Sequence, residues 1–185
     1  TFITMSSELR VDKIVPTTGV PTGGGGGIIQ VVSVTKTDNV SIFVASETYH
    51  NYDDASLKVT ITPKFATSKI LIFGTIHLSA NTNAAATYTL LHKDGSVISG
   101  ARGDAEGNRT RALSVVPIVS NDHPSLHSIS YLDDAGNTSS RYYNYAFAHG
   151  AGGGRSMKIN AGYNVSNSFL YSTSASTLTA MEVSA

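Results

Sequence analysis

From Ile28 to the end of the chain, short runs rich in β-branched and aromatic residues alternate with clusters of Gly, Asn, Asp and Ser. No window carries apolar residues at i, i+3, i+4 and i+7 over three turns, so no amphipathic helix is expected. The runs predict strands near 28–35, 40–45, 56–62, 69–79, 86–92, 96–99, 111–119, 127–132, 140–148, 156–163, 168–172 and 176–183. Many short strands at such spacing, punctuated by turn residues, point to a sandwich or barrel. The predicted fold is all-β: a jelly-roll-like antiparallel β-sandwich over 28–185, preceded by an extended N-terminal arm.

The punctuation is specific. Lys93-Asp94-Gly95-Ser96 predicts a two-residue hairpin, because Asp-Gly accepts the positive φ that a type I′ turn demands. Asn81-Thr82-Asn83 and Asp133-Asp134-Ala135-Gly136-Asn137 read as loops. The strand faces also differ from one another. Leu57, Val59 and Ile61 alternate with Lys58 and Thr60, the pattern of a half-buried strand. In 69–79, Ile70, Ile72, Ile76 and Leu78 share one face while Leu71 and Phe73 occupy the other. In 140–148, Arg141, Tyr143, Tyr145 and Phe147 alternate with Tyr142, Asn144, Ala146 and Ala148. Two-sided apolar character means that an outer face is covered, by a loop, by the arm or by another subunit. Leu71, Phe73, Tyr143, Tyr145 and Phe147 are therefore the expected subunit interface.

Residues 1–27 follow a different rule. Few apolar residues stand among charges, Pro16 and Pro21 favour extended backbone, and Gly23 to Gly27 form a flexible linker. Such a segment makes no core of its own. Its apolar residues Leu9, Val11, Ile14 and Val15 are expected to dock on a partner.

Charge narrows the function classes. Thirteen basic and 13 acidic residues cancel, and no basic face emerges, so no nucleic-acid partner is expected. No apolar stretch is long enough to span a bilayer as a helix, so no membrane insertion is expected. The chain has no cysteine, which removes disulfides and thiolate metal sites.

Catalytic patterns are weak. The glycine run lacks the Gly-Lys-Ser/Thr and the preceding strand of nucleotide-binding loops. His123 and His127 are four apart, but Pro124 removes the helix that would align them, and the six histidines read as scattered surface residues. Asp53-Asp54 and Asp133-Asp134 are adjacent pairs whose side chains should diverge, and a calcium site around Asp133, Asp134 and Asn137 is the lesser reading beside solvated turns. No Gly-x-Ser-x-Gly elbow is present. The expectation is a non-enzymatic protein without cofactor or metal. Arg102, Asp104, Arg109 and Arg111 lie in a charged loop that suits specific contacts, with a second glycine-rich loop at 149–155.

Several segments carry a resemblance. Met5-Ser6-Ser7-Glu8-Leu9-Arg10-Val11-Asp12-Lys13-Ile14-Val15-Pro16 before the glycine run resembles the N-terminal segment of structural proteins of tailed phages, notably marine and cyanobacterial ones. Leu57 to Pro63 with Ser68 to Ile72, Gly107 to Arg111, Tyr131 to Asp133 and Leu178 to Val183 are similar to the same group. The resemblance implies a virion protein of tail-fibre or head-fibre type, a homotrimer whose arm binds other virion proteins. The alternative expectation is a receptor- or glycan-binding tip that contacts a host surface through loops 100–111 and 149–155.

Overall fold

The computed structural model describes residues 27–45, 48–82, 86–118, 120–164 and 166–184, so the arm residues Leu9, Val11, Ile14 and Val15 lie outside the described residues. The first strands are β1 (Ile28–Lys36), β2 (Val40–Val44), β3 (His50–Asn51), β4 (Lys58–Ile61), β5 (Lys69–Ala80) and β6 (Ala86–Lys93). They are followed by β7 (Ser96–Val97), β8 (Ser114–Pro117), β9 (Ser125–Asp134), β10 (Arg141–His149), β11 (Arg155–Ile159) and β12 (Ser176–Val183). Single 3-10 turns occur at Ala55–Leu57 and Ser99–Ala101.

Every pairing is antiparallel, and the pairs nest. β1 pairs β12, β2 pairs β11, β4 pairs β10, β5 pairs β9 and β6 pairs β8, as though one long hairpin had been rolled up. Two further pairings, β12 with β5 and β10 with β6, close the roll. One sheet then runs β1-β12-β5-β9 and the opposing sheet β4-β10-β6-β8, the two four-stranded sheets of a jelly roll. β2 and β11 extend the first sheet, and β3 and β7 the second. The predicted fold class is thus what forms.

Alternation explains the core. Ile70, Ile72, Ile76 and Leu78 of β5 are fully buried, with Leu178 and Ala180 of β12 on the same layer. Facing them are Tyr143, Tyr145 and Phe147 of β10 with Val59 and Ile61 of β4, all at 1% exposure or less. This corrects the expected interface: Tyr143, Tyr145 and Phe147 fill the space between the sheets and have no surface to offer a partner. The opposite face of β10 is covered by the chain itself, for Asn144, Ala146 and Ala148 are buried as well. Leu71 and Phe73 do face outward.

The Asp94-Gly95 hairpin forms with φ of 51° and 79°, joining β6 to β7. Strand limits differ from expectation in several places, three of them with a clear local cause. Positions 168–172 are turn and bend: Tyr171 N–H donates to the Ser168 carbonyl at 3.1 Å and Leu170 N–H to Ser168 Oγ at 3.4 Å. Local bonds of that kind satisfy the backbone without a partner strand. The 156–163 run stops at Ile159 because Asn160 adopts a φ of 64°. Conversely, β9 continues through Asp133 and Asp134, which pair with Ile70 and Lys69, so the loop begins only at Ala135.

Candidate functional site

Two surface features are assembled from residues far apart in the chain. The first lies on the outer face of the β1-β12-β5-β9 sheet. Register places Val31 beside Met181, Met181 beside Leu71, and Leu71 beside Leu132. The result is one apolar row across four strands. Val31 is 51% and Leu132 53% exposed, and Phe73 at 38% stands in the next row beside Thr179 and Ser130. The third row is Thr35, Thr177, Thr75 and Ser128. Hydroxyls bond across these rows, Ser33 to Thr179 at 2.8 Å and Thr75 to Thr177 at 3.2 Å. Among the described residues of these rows, charge appears only at the margin, where Lys69 and Asp134 pair with each other.

The second feature is a cleft of about 590 Å³ at the end of β10. It is bounded by Thr48 and Tyr49 before β3, by Asn108, Arg109 and Thr110, and by the stretch from Ala148 to Gly152 at the end of β10. Each wall has a local cause. The 102–113 loop is closed at its base by Gly103 N–H on the Ala112 carbonyl, 3.2 Å, and by Arg111 Nε on the Gly103 carbonyl, 2.6 Å. Its tip turns at Gly107, φ 53°, where Arg109 pairs with Glu106 at 2.6 Å. The Tyr49 hydroxyl donates to the Arg111 carbonyl at 3.4 Å, tying the β2–β3 connection to that loop. On the third wall, Gly150 N–H donates to the Ala86 carbonyl at 2.9 Å. A Cβ at Gly150 would stand 2.6 Å from the Tyr88 hydroxyl, so a side chain here would have to displace the end of Tyr88.

His149 forms the floor. It is 6% exposed, its Nε2 lies 3.0 Å from the Val44 carbonyl, and its Nδ1 has no partner among the described residues. Of the charged loop singled out from the sequence, only Arg109 lines the cleft. Arg111 braces the loop from within, Arg102 is half-buried, and Asp104 is exposed elsewhere on the loop. Tyr49 and His149 carried no motif in the sequence; the signal that could have found His149 is its position directly before a glycine-rich tip.

The remaining candidate chemistry is dispersed. Asp133 accepts from Lys93 and from the Tyr143 hydroxyl, both at 2.6 Å, while Asp134 pairs with Lys69. Asn137 Oδ1 accepts from Arg141 at 2.7 Å. The guanidinium of Arg141 therefore occupies the loop where a calcium ion would need oxygens, and each carboxylate already has a cation. No cluster of three or more metal-ligating side chains occurs among the described residues. Three histidines read as surface residues are in fact buried: His92, His127 and His149. His123 is exposed, so it shares no site with His127. No helix among the described residues is long and apolar enough to cross a membrane.

No family model matches the chain, and no curated protein matches it. Among solved structures, VP2 in a subviral particle of infectious bursal disease virus overlaps 92% of this chain at 12% identity and a TM-score of 0.38. The chain spans 42% of the length of that VP2 chain. A likeness so loose carries no functional argument, and the jelly-roll assignment rests on the strand pairing.

Proposed function

We propose that the chain is a non-enzymatic structural protein of a tailed-phage virion, a fibre or decoration component that associates with copies of itself through the outer face of β1-β12-β5-β9. Residues 1–27 then attach it to other virion proteins. The observation that carries this reading is the row Val31, Met181, Leu71 and Leu132, an apolar band left in solvent. Contiguous bands of this kind on a folded surface mark interaction sites. Its flanking rows are hydroxyls rather than ions. Identical faces can therefore approach without burying like charges, as the core of a subunit interface requires. The phage resemblance of the arm and of the Leu57 to Ile72 segments supports the virion assignment, and a homotrimer is the state that the resemblance implies. The pairing of Asp53, Asp133 and Asp134 with lysines favours a non-catalytic role, since acid–base work needs carboxylates free to exchange protons.

Mass measurement in solution tests the reading. The wild-type chain is expected to run as an oligomer, and Leu132→Lys together with Leu71→Lys to give a folded monomer with unchanged far-UV circular dichroism. A wild-type monomer at high concentration would sink the self-association. Particles assembled with a chain lacking residues 1–26 should then fail to incorporate it.

A further inference from the structure

The cleft between Tyr49, Arg109 and His149 has the size and chemistry of a small-ligand site. Its volume of about 590 Å³ sits inside the range that such sites occupy, ~300–1,000 Å³. Three chemically different walls converge on it. Tyr49 is 38% exposed, with its hydroxyl held by the Arg111 carbonyl, so the ring is fixed at its far end while part of it stays open. Asn108, Arg109 and Thr110 bring an amide, a guanidinium and a hydroxyl. On the floor, His149 is buried and held by Nε2 3.0 Å from the Val44 carbonyl, which gives the cleft a fixed base.

Charge decides the ligand class. No carboxylate stands among the described lining residues, and the one cation, Arg109, is already paired with Glu106 at 2.6 Å. A phosphate, sulfate or carboxylate would find a single cation there, and would have to draw it away from Glu106. A wholly apolar ligand would strand the amide of Asn108 and the hydroxyl of Thr110. What suits these walls is a neutral ring with an apolar C–H face to lie on Tyr49 and hydroxyls around its rim for Asn108 and Thr110. We propose that this cleft binds a neutral saccharide of one or two rings. It does so independently of self-association, because no residue of the apolar row lines the cleft.

Two substitutions leave the fold alone. Tyr49 is a partly exposed residue in a connection. A Cβ at Gly152 meets nothing within 4 Å, and its φ lies outside the left-handed region, so a leucine there projects into free space at the cleft's rim. The full chain would be screened on an array of neutral and acidic mono- and disaccharides. Any hit would be titrated by saturation-transfer NMR against wild type, Tyr49→Ala, Gly152→Leu and Leu132→Lys. The expected result is binding of a neutral saccharide, weakened at least tenfold by Tyr49→Ala and by Gly152→Leu and unchanged by Leu132→Lys. No binding across the array, binding of charged sugars alone, or a neutral hit insensitive to both cleft variants would overturn the proposal.

Discussion

Gly74 shows how narrowly a single position can be constrained. It lies on the inward face of β5, and a Cβ there would stand 2.5 Å from the Tyr145 hydroxyl and closer still to the Thr177 carbonyl. Those two atoms are hydrogen-bonded to each other at 2.7 Å, a strut between the sheets. Gly74→Ala is expected to cost about 1–3 kcal/mol through overpacking. Urea denaturation should show a smaller penalty in a Tyr145→Phe background, where one of the two obstructing atoms is gone; equal penalties would mean that the strut is irrelevant. His127 sets a second constraint, on pH. Fully buried, with Nε2 2.7 Å from Thr87 Oγ1 and Nδ1 3.1 Å from Ser114 Oγ, it is pushed down to about 4 by burial. As pH falls below about 6.5 the unfolded chain takes up a proton that the native state refuses until about 4. Stability is therefore intact above that window and falls through it, by roughly 3 kcal/mol in all. Unfolding midpoints at pH 7 and 4.5 should differ markedly in wild type and far less in His127→Gln. Some slope will remain, because burial also holds His50 and His92 below the ordinary value.

At the scale of elements, the sequence was informative wherever one residue's neighbours decide its role. Alternation in Leu57 to Ile61 and in Ile70 to Leu78 placed the inner faces correctly, since a strand's side chains point to opposite sides regardless of what lies beyond them. Asp94-Gly95 located its turn for the same local reason. The failures share a cause. Both faces of β10 are buried, so periodicity alone does not say which face meets the opposing sheet and which lies under the chain's own loops. Phe169, Leu170 and Tyr171 have strand-like composition, but Ser168 satisfies the backbone locally and leaves Phe169 and Leu170 in solvent. His127 looks like any polar residue until Thr87 and Ser114 arrive from two other strands. The cleft follows suit. Its two loops were legible as loops near glycines, whereas their meeting with Tyr49 is a product of tertiary folding.

At the scale of the whole molecule, nesting makes one strand indispensable. β12 follows every other strand in the chain yet sits inside its sheet, bonded to β1 on one side and β5 on the other. It brings Leu178 and Ala180 to the core. Its Glu182 is fully buried, accepting from Gln30 Nε2 at 2.5 Å and from the Lys64 N–H at 2.8 Å, which anchors the β4–β5 connection. Burial raises the pKa of that carboxyl, but these hydrogen bonds outweigh it and hold the group below its usual range, so it is ionised at neutral pH. Without β12, two facing strand edges and the inner side of β5 would open to water, a state that favours pairing with other chains over closure. β7 is the opposite case: two residues paired to β6 alone at the margin of the other sheet. A chain ending at Ala175, just before β12, is thus expected to lose cooperative thermal unfolding and its near-UV circular dichroism, whereas replacing Ser96–Val97 by Gly-Ser should preserve both. A cooperative melt from the shortened chain would show that the roll closes without its last strand, and that the nested pairing is not what holds the sandwich together.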